Sequence, residues 1–123
     1  MALGKIKADT LEHSTAGSLD TKFVVEGSAK AWVIGSAAAA LGNSLNISSG
    51  TDDGTGTYHY DYTAALANSN FAGTVTSEVA GTIGSLDNGA HSKTTTNVFV
   101  AITNSSASAE DRSHSAKING DLA

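Results

Sequence analysis

The residues with the widest chemical range in this chain are its histidines, His13, His59, His91 and His114, and they lie far apart. No two stand at i, i+2 or i+4, the spacings at which one strand or helix offers two imidazoles to a metal. A metal site would have to be assembled across subunits, and no bound metal is expected. The run Asp52-Asp53-Gly54-Thr55-Gly56 invites comparison with a calcium loop. Calcium takes about 6–8 oxygens, however, and such loops close on a bidentate acid. The next acid is Asp61, inside a strand-like run, so a hairpin turn with positive φ at Gly54 or Gly56 is the better reading. Ser, His and Asp are all present, yet no nucleophile elbow accompanies any Ser. Carboxylates for sugar cleavage are available in Asp61, Glu78, Asp87, Glu110 and Asp111. A chain of 123 residues with 1 Trp is nevertheless small for a glycan-cleaving spike, and no enzyme activity is expected. No Gly-x-Gly-x-x-Gly opens a helix, so no phosphate cradle or cofactor is expected either.

Aromatic side chains are the other chemical resource. An exposed row of them would suit stacking on sugars. Trp32, Tyr58, Tyr60 and Tyr62 instead alternate along strand-like runs, which makes them candidate core or subunit contacts. Contact with a receptor is better sought on connections rich in amides and carboxylates. Asn68, Asn70, Asp87, Asn88 and His91 are the candidates there.

Composition bounds what can hold such residues in place. The length suits one compact domain. Apolar residues make up 40%, but many are Ala, and aromatics supply only 6%. A domain of this size buries only about two-thirds of its unfolded surface, and Ala adds little to that burial. Burial between subunits is the expected supplement. There are 13 Gly, no Pro and no Cys, which removes disulfides, thiolate-bound metals and cysteine nucleophiles. Net charge is −5, and the 7 Lys and Arg are scattered, so nucleic acid is not an expected partner. No run approaches the roughly 20 apolar residues of a membrane span. Met1 to Thr10 lacks the apolar centre of a signal peptide, so synthesis in the cytoplasm and no membrane insertion are expected.

Residues 1–27 read as an arm, either an edge strand or a tether that docks onto a neighbour. Its candidate docking side chains are Ile6, Leu11, Leu19 and Phe23; Ser14 to Ser18 reads as loop and 21–25 as strand. From Ser28 onward alternation of period 2 dominates. Lys30, Trp32 and Ile34 alternate with Ala31 and Val33, and Leu45 and Ile47 share a face. Residues 57–63 make the clearest strand, with Tyr58, Tyr60 and Tyr62 on one face and His59 and Asp61 on the other. Residues 74–82 are a weaker strand, and 94–103 a strong one with Val98, Val100 and Ile102 facing inward. Residues 115–120 put Ala116 and Ile118 on one face. The run 36–41 favours helix by propensity but is far shorter than the roughly 12 residues an isolated helix needs, so an irregular connection is expected. Together these features predict an all-β fold, an antiparallel, jelly-roll-like sandwich of roughly seven or eight strands over 28–123.

The phrase Gly27-Ser28-Ala29-Lys30-Ala31-Trp32-Val33 resembles the opening, Gly-x-x-Lys-Ala-Trp-Val, of a β-module in phage tail-fibre and virion-fibre proteins, notably of aquatic phages. That module continues with a strand similar to Leu45-Asn46-Ile47-Ser48-Ser49 and a turn similar to Asp52-Asp53-Gly54-Thr55-Gly56. A Tyr-x-Val-x-Phe-like strand follows, matched by Tyr58, Tyr60 and Tyr62, and then a phrase similar to Ala67-Asn68-Ser69-Asn70-Phe71-Ala72. The likeness runs from Gly27 to Ala72 and is loose beyond; 36–42 departs from a longer Gly/Thr segment carrying an Arg. The resemblance implies virion structure and attachment rather than catalysis, and a homotrimer. One expectation is a short tail fibre or fibre tip whose loops bind a host surface glycan or protein. The other is a capsid decoration or cement protein whose arm clamps the shell. The first is preferred because relatives of the Lys30-Ala31-Trp32-Val33 phrase are mostly fibre proteins. Both place the chain on the virion surface among other virion proteins.

Overall fold

The structure, a computed structural model, describes residues 8–86 and 91–122. The arm contains strands β1 (Thr10–His13) and β2 (Gly17–Asp20) and helix α1 (Thr21–Gly27). The body contains β3 (Ala29–Gly35), β4 (Leu41–Leu45), β5 (Ile47–Gly54), β6 (Thr57–Tyr62) and β7 (Ala72–Ser77). It continues with β8 (Thr82–Leu86), β9 (Asn97–Asn104) and β10 (His114–Asn119). These eight body strands form two antiparallel sheets, ordered β4-β3-β10-β7 and β5-β6-β9-β8, and β1 and β2 pair only with each other. The fold is the all-β sandwich that alternation predicts.

The core explains how a chain short of large apolar residues fills its interior. Tyr58, Tyr60 and Tyr62 on β6 and Val98, Val100 and Ile102 on β9 project inward from one sheet. They meet Ala31 and Val33 on β3 and Ala116 and Ile118 on β10. Large side chains on one layer face small ones on the other, so the alanines complement the tyrosines. Glycine completes the fit. A Cβ on Gly35 would stand 2.0 Å from the Tyr60 hydroxyl, and one on Gly50 would stand 2.7 Å from the Tyr60 ring. Both lie far inside van der Waals contact.

Several expectations need correction. Residues 21–25 are not a strand: 21–27 form the helix α1, with no residue buried. Phe23, Val24 and Val25 form a continuous apolar run rather than an alternating one, and such a run does not discriminate helix from strand. Leu45 and Ile47 do not share a face, because they belong to different sheets. Asn46 between them has φ of 56°, a left-handed conformation that Asn tolerates better than most residues, and it turns the chain from one sheet to the other. Its amide fixes the corner: Nδ2 donates to the Ala64 carbonyl at 3.0 Å, and Oδ1 accepts the Ala64 N–H at 2.7 Å. Residues 74–82 are not one strand either; β7 ends at Ser77, and Gly81 (φ 81°) turns the chain into β8 on the opposite sheet. On β3 the inward residues are Ala31, Val33 and Gly35, so Trp32 and Ile34 face outward. Trp32 is half-buried beside Leu45 and Lys117 and is not part of the core.

Elsewhere the pattern holds. Gly54 and Gly56 both take positive φ (128° and 68°) at the β5–β6 hairpin. Residues 36–40 form an irregular connection. Val98, Val100, Ile102, Ala116 and Ile118 are buried as the alternation requires.

Candidate docking surface

Strand register divides the sandwich into two poles. β3 begins beside the arm at Ala29, which pairs with Asn119 at the end of β10; the far ends of the same strands are Gly35 and His114. Following the pairing around both sheets puts the connection 62–72, the end of β8 and the start of β9 at the arm pole. The connections 35–41, 54–57, 77–82 and 104–114 lie at the opposite pole.

At the arm pole the chain locks its helix to its sheet. Thr21 Oγ1 donates to the Ala8 carbonyl at 2.6 Å, and the Thr21 N–H donates to the Asp9 carbonyl at 2.8 Å, tying the hairpin to α1. The Lys30 ammonium donates to the Val25 carbonyl and to Ser28 Oγ, meeting the unpaired carbonyl end of the helix, where positive charge is favoured. The Asn119 side-chain amide donates to the Gly27 carbonyl at 2.7 Å. The Gly27-to-Val33 phrase thereby acquires a physical account. Lys30 latches the arm, Ala31 and Val33 enter the core, and Trp32 lies on the outer face.

The latch leaves apolar surface open. Phe23 is 56% exposed and Val25 60%, with Leu11, Leu19 and Val24 also exposed. A groove of about 880 Å³ runs between arm and body, lined chiefly by Val24, Val25, Lys30, Leu45 and Leu122. Ile34 and Leu45 add exposed apolar surface on the outer face of the β4-β3-β10-β7 sheet. A lone two-stranded hairpin is marginal in water, and a helix of 7 residues is below the length that persists alone.

The candidate residues distribute as follows. Leu11, Leu19 and Phe23 are exposed on the arm, while Ile6 lies outside the described residues. Tyr58, Tyr60 and Tyr62 are buried in the core. Asn68 and Asn70 are exposed on the connection 62–72, where the Asn70 N–H donates to Asn68 Oδ1 at 2.8 Å. This connection meets 91–96 through Lys93, whose ammonium donates to the Phe71 carbonyl at 2.9 Å. His91 stacks on Phe99 with centroids 4.4 Å apart, and Asp87 and Asn88 lie outside the described residues. Asn68 and Asn70 thus stand at the same pole as the arm, not opposite it.

Two polar centres escaped the sequence reading. His114 is fully buried at the far pole. Its Nδ1 lies 2.8 Å from the Arg112 carbonyl, which can only accept, so Nδ1 carries the proton and Nε2 accepts from the Tyr60 hydroxyl at 2.8 Å. Tyr58 packs on the ring at 4.5 Å. Burial holds the imidazole pKa below its ordinary value, against smaller opposing effects of the Arg112 carbonyl and Glu78. Burial likewise pushes the Tyr60 and Tyr62 hydroxyls upward. Asp111 stitches the same pole, accepting the Gly56 N–H at 2.6 Å. His114 is the first inward position of the alternation that runs on through Ala116 and Ile118, but as a polar residue beside Ser113 it falls outside the apolar pattern that marks 115–120.

Among the described residues, no group of three or more His, Asp or Glu side chains is placed to hold a metal ion. Compared with family models, curated proteins and solved structures, the chain matches none.

Proposed function

We propose that this protein is a structural component of a bacteriophage virion, a short tail fibre or fibre tip used in host attachment. The observation that carries the reading is the arm. It is latched to the body by Lys30, buries none of its helix, and keeps Leu11, Leu19, Phe23, Val24 and Val25 exposed for a neighbouring virion protein. The Gly27-to-Val33 phrase and its likeness to fibre modules supply the class of particle. On the same reading, Trp32, Ile34 and Leu45 on the outer face of the β4-β3-β10-β7 sheet pack against neighbouring copies in a homotrimer. An anchored arm turns the connections 35–41, 54–57, 77–82 and 104–114 away from the particle.

Copy number per particle, from quantitative densitometry against the major capsid protein, tests the reading. A ratio of a few per cent is expected. A ratio near parity would replace it with the decoration reading, in which the same arm clamps the capsid shell. Deleting residues 1–25 is expected to leave a folded body that no longer enters particles. Light scattering on the full chain checks the trimer.

A further inference from the structure

We propose that the outer face of the β5-β6-β9-β8 sheet is a binding site for a neutral glycan, centred on Phe99. The outward positions of the two central strands are Thr57, His59 and Asp61 on β6 and Asn97, Phe99, Ala101 and Thr103 on β9. Phe99 is the one large apolar side chain among them and is half-buried, and Ile83 on the edge strand β8 adds exposed apolar surface to the same face. Two imidazoles flank it. His91 lies nearly parallel to the ring, at 4.4 Å and 4°, and His59, its direct cross-strand partner, stands at 5.5 Å and 45°.

The polar groups around these rings are held in place. His59 Nδ1 lies 2.6 Å from Asp53 Oδ2. Asp61 Oδ2 accepts the Ser49 hydroxyl at 2.7 Å, and Thr51 stands opposite His59 across the sheet. A pyranose has one apolar C–H face and a rim of hydroxyls. The apolar face suits an aromatic surface, and the hydroxyls donate to carboxylates through charge-assisted hydrogen bonds. Side chains fixed on strands lose less freedom on binding than loop side chains.

Charge selects the class of sugar. Asp53 and Asp61 stand on this side of the sheet, and none of its four strands carries a Lys or Arg. An anionic sugar meets like charge there, and the ammonium of Lys93, two residues from His91, is engaged by the Phe71 carbonyl. The opposite sheet differs, with Trp32, Ile34 and Leu45 outward beside Lys117. The inference deepens the attachment reading, on which it rests for its biological setting, and places the glycan on the flank of the sandwich rather than on its loops.

Amide chemical shifts of the full chain, titrated with the methyl pyranosides of galactose, glucose and mannose and with N-acetylneuraminic acid, test it. At least one neutral sugar is expected to give saturable shifts at His59, Asp61 and Phe99, with a Kd of about 1 mM that several copies on one particle would strengthen. Phe99→Ala is expected to weaken binding at least about tenfold. Asp61→Asn, which keeps shape and fold, is expected to weaken it several-fold. Absence of saturable shifts up to about 50 mM overturns the inference. So do shifts that survive Phe99→Ala, and so does tighter binding of the anionic sugar. The attachment reading fails separately: a copy number near parity removes it whatever the sugars do, and a low copy number without sugar binding removes only this site.

Discussion

Lowering the pH from about 7.5 to about 5.5 should destabilise the fold through His114, because the unfolded imidazole takes up a proton near pH 6.5 and the native one resists. In the native state Nδ1 already donates to the Arg112 carbonyl. A second proton on Nε2 would face the Tyr60 hydroxyl, which now donates to that nitrogen. It would also create an unpaired charge at a fully buried site. The native pKa is lowered, so the stability contributed by His114 is complete above the unfolded value and is lost as pH falls toward the native one. One proton bound only by the unfolded chain gives a ceiling of about 1.4 kcal/mol over this interval. For a domain of this size that corresponds to a fall in Tm of up to about 5 °C. Thermal unfolding followed by circular dichroism at half-unit pH steps measures the slope. His114→Gln is expected to lower stability at every pH but to flatten the dependence in this window. Equal slopes in the two proteins would refute the reasoning, since the titrating group would then lie elsewhere.

Other perturbations probe the corners and the latch. Gly35→Ala, whose Cβ would stand 2.0 Å from the Tyr60 hydroxyl and 2.8 Å from His114 Nε2, should cost about 2–5 kcal/mol in chemical denaturation. A cost below about 0.5 kcal/mol would mean that the Tyr60–His114 pair is not closely held. Lys30→Met keeps the buried stem but removes the ammonium from the end of α1; limited proteolysis is expected to cut the arm faster while body stability shifts by less than about 1 kcal/mol. Asn46→Ala loses both Ala64 hydrogen bonds and strains a residue at φ 56°, so it should cost about 2–3 kcal/mol, and Asn46→Gly, free of the strain, about 1 kcal/mol less. Ala107 sits at φ 60°, so Ala107→Gly should at least preserve Tm, whereas an ordinary Ala→Gly change lowers it.

How much was legible in the sequence depended on whether burial left a periodic trace. β6 and β10 bury every second residue and β9 does so with Ala101 buried besides, and the tyrosines, valines and isoleucines record it. β8 reads Thr-Ile-Gly-Ser-Leu and buries little, with Ile83 61% exposed, so nothing marked it off from β7. On β3 the core positions are small, and the larger Trp32 and Ile34 on the other face suggested the wrong side. Size was misleading there because the opposing tyrosines needed little volume in return. Lys30 and His114 were invisible as partners for another reason. Each has one bond to main chain, at Val25 and Arg112, where an acceptor carries no residue signature, and His114 meets the Tyr60 hydroxyl from a strand 54 residues away. The Phe99 cluster joins His59 and His91 through pairing of β6 with β9 and a return of the chain beside it, a proximity that sequence separation conceals.

The division into poles also bears on using the protein as a carrier. Leu122 pairs with Leu66 beside the groove that holds Val24, so a peptide appended after the last strand would emerge next to the arm. A peptide spliced into the turn at 105–107 would emerge at the other end. Asn104 closes that turn on its own, its Oδ1 accepting the N–H groups of Ser106 and Ser108 at 2.9 and 3.0 Å. Exposed, self-closed turns of small polar residues are where chains accept insertions most readily. Cargo grafted there would stand at the pole opposite the arm.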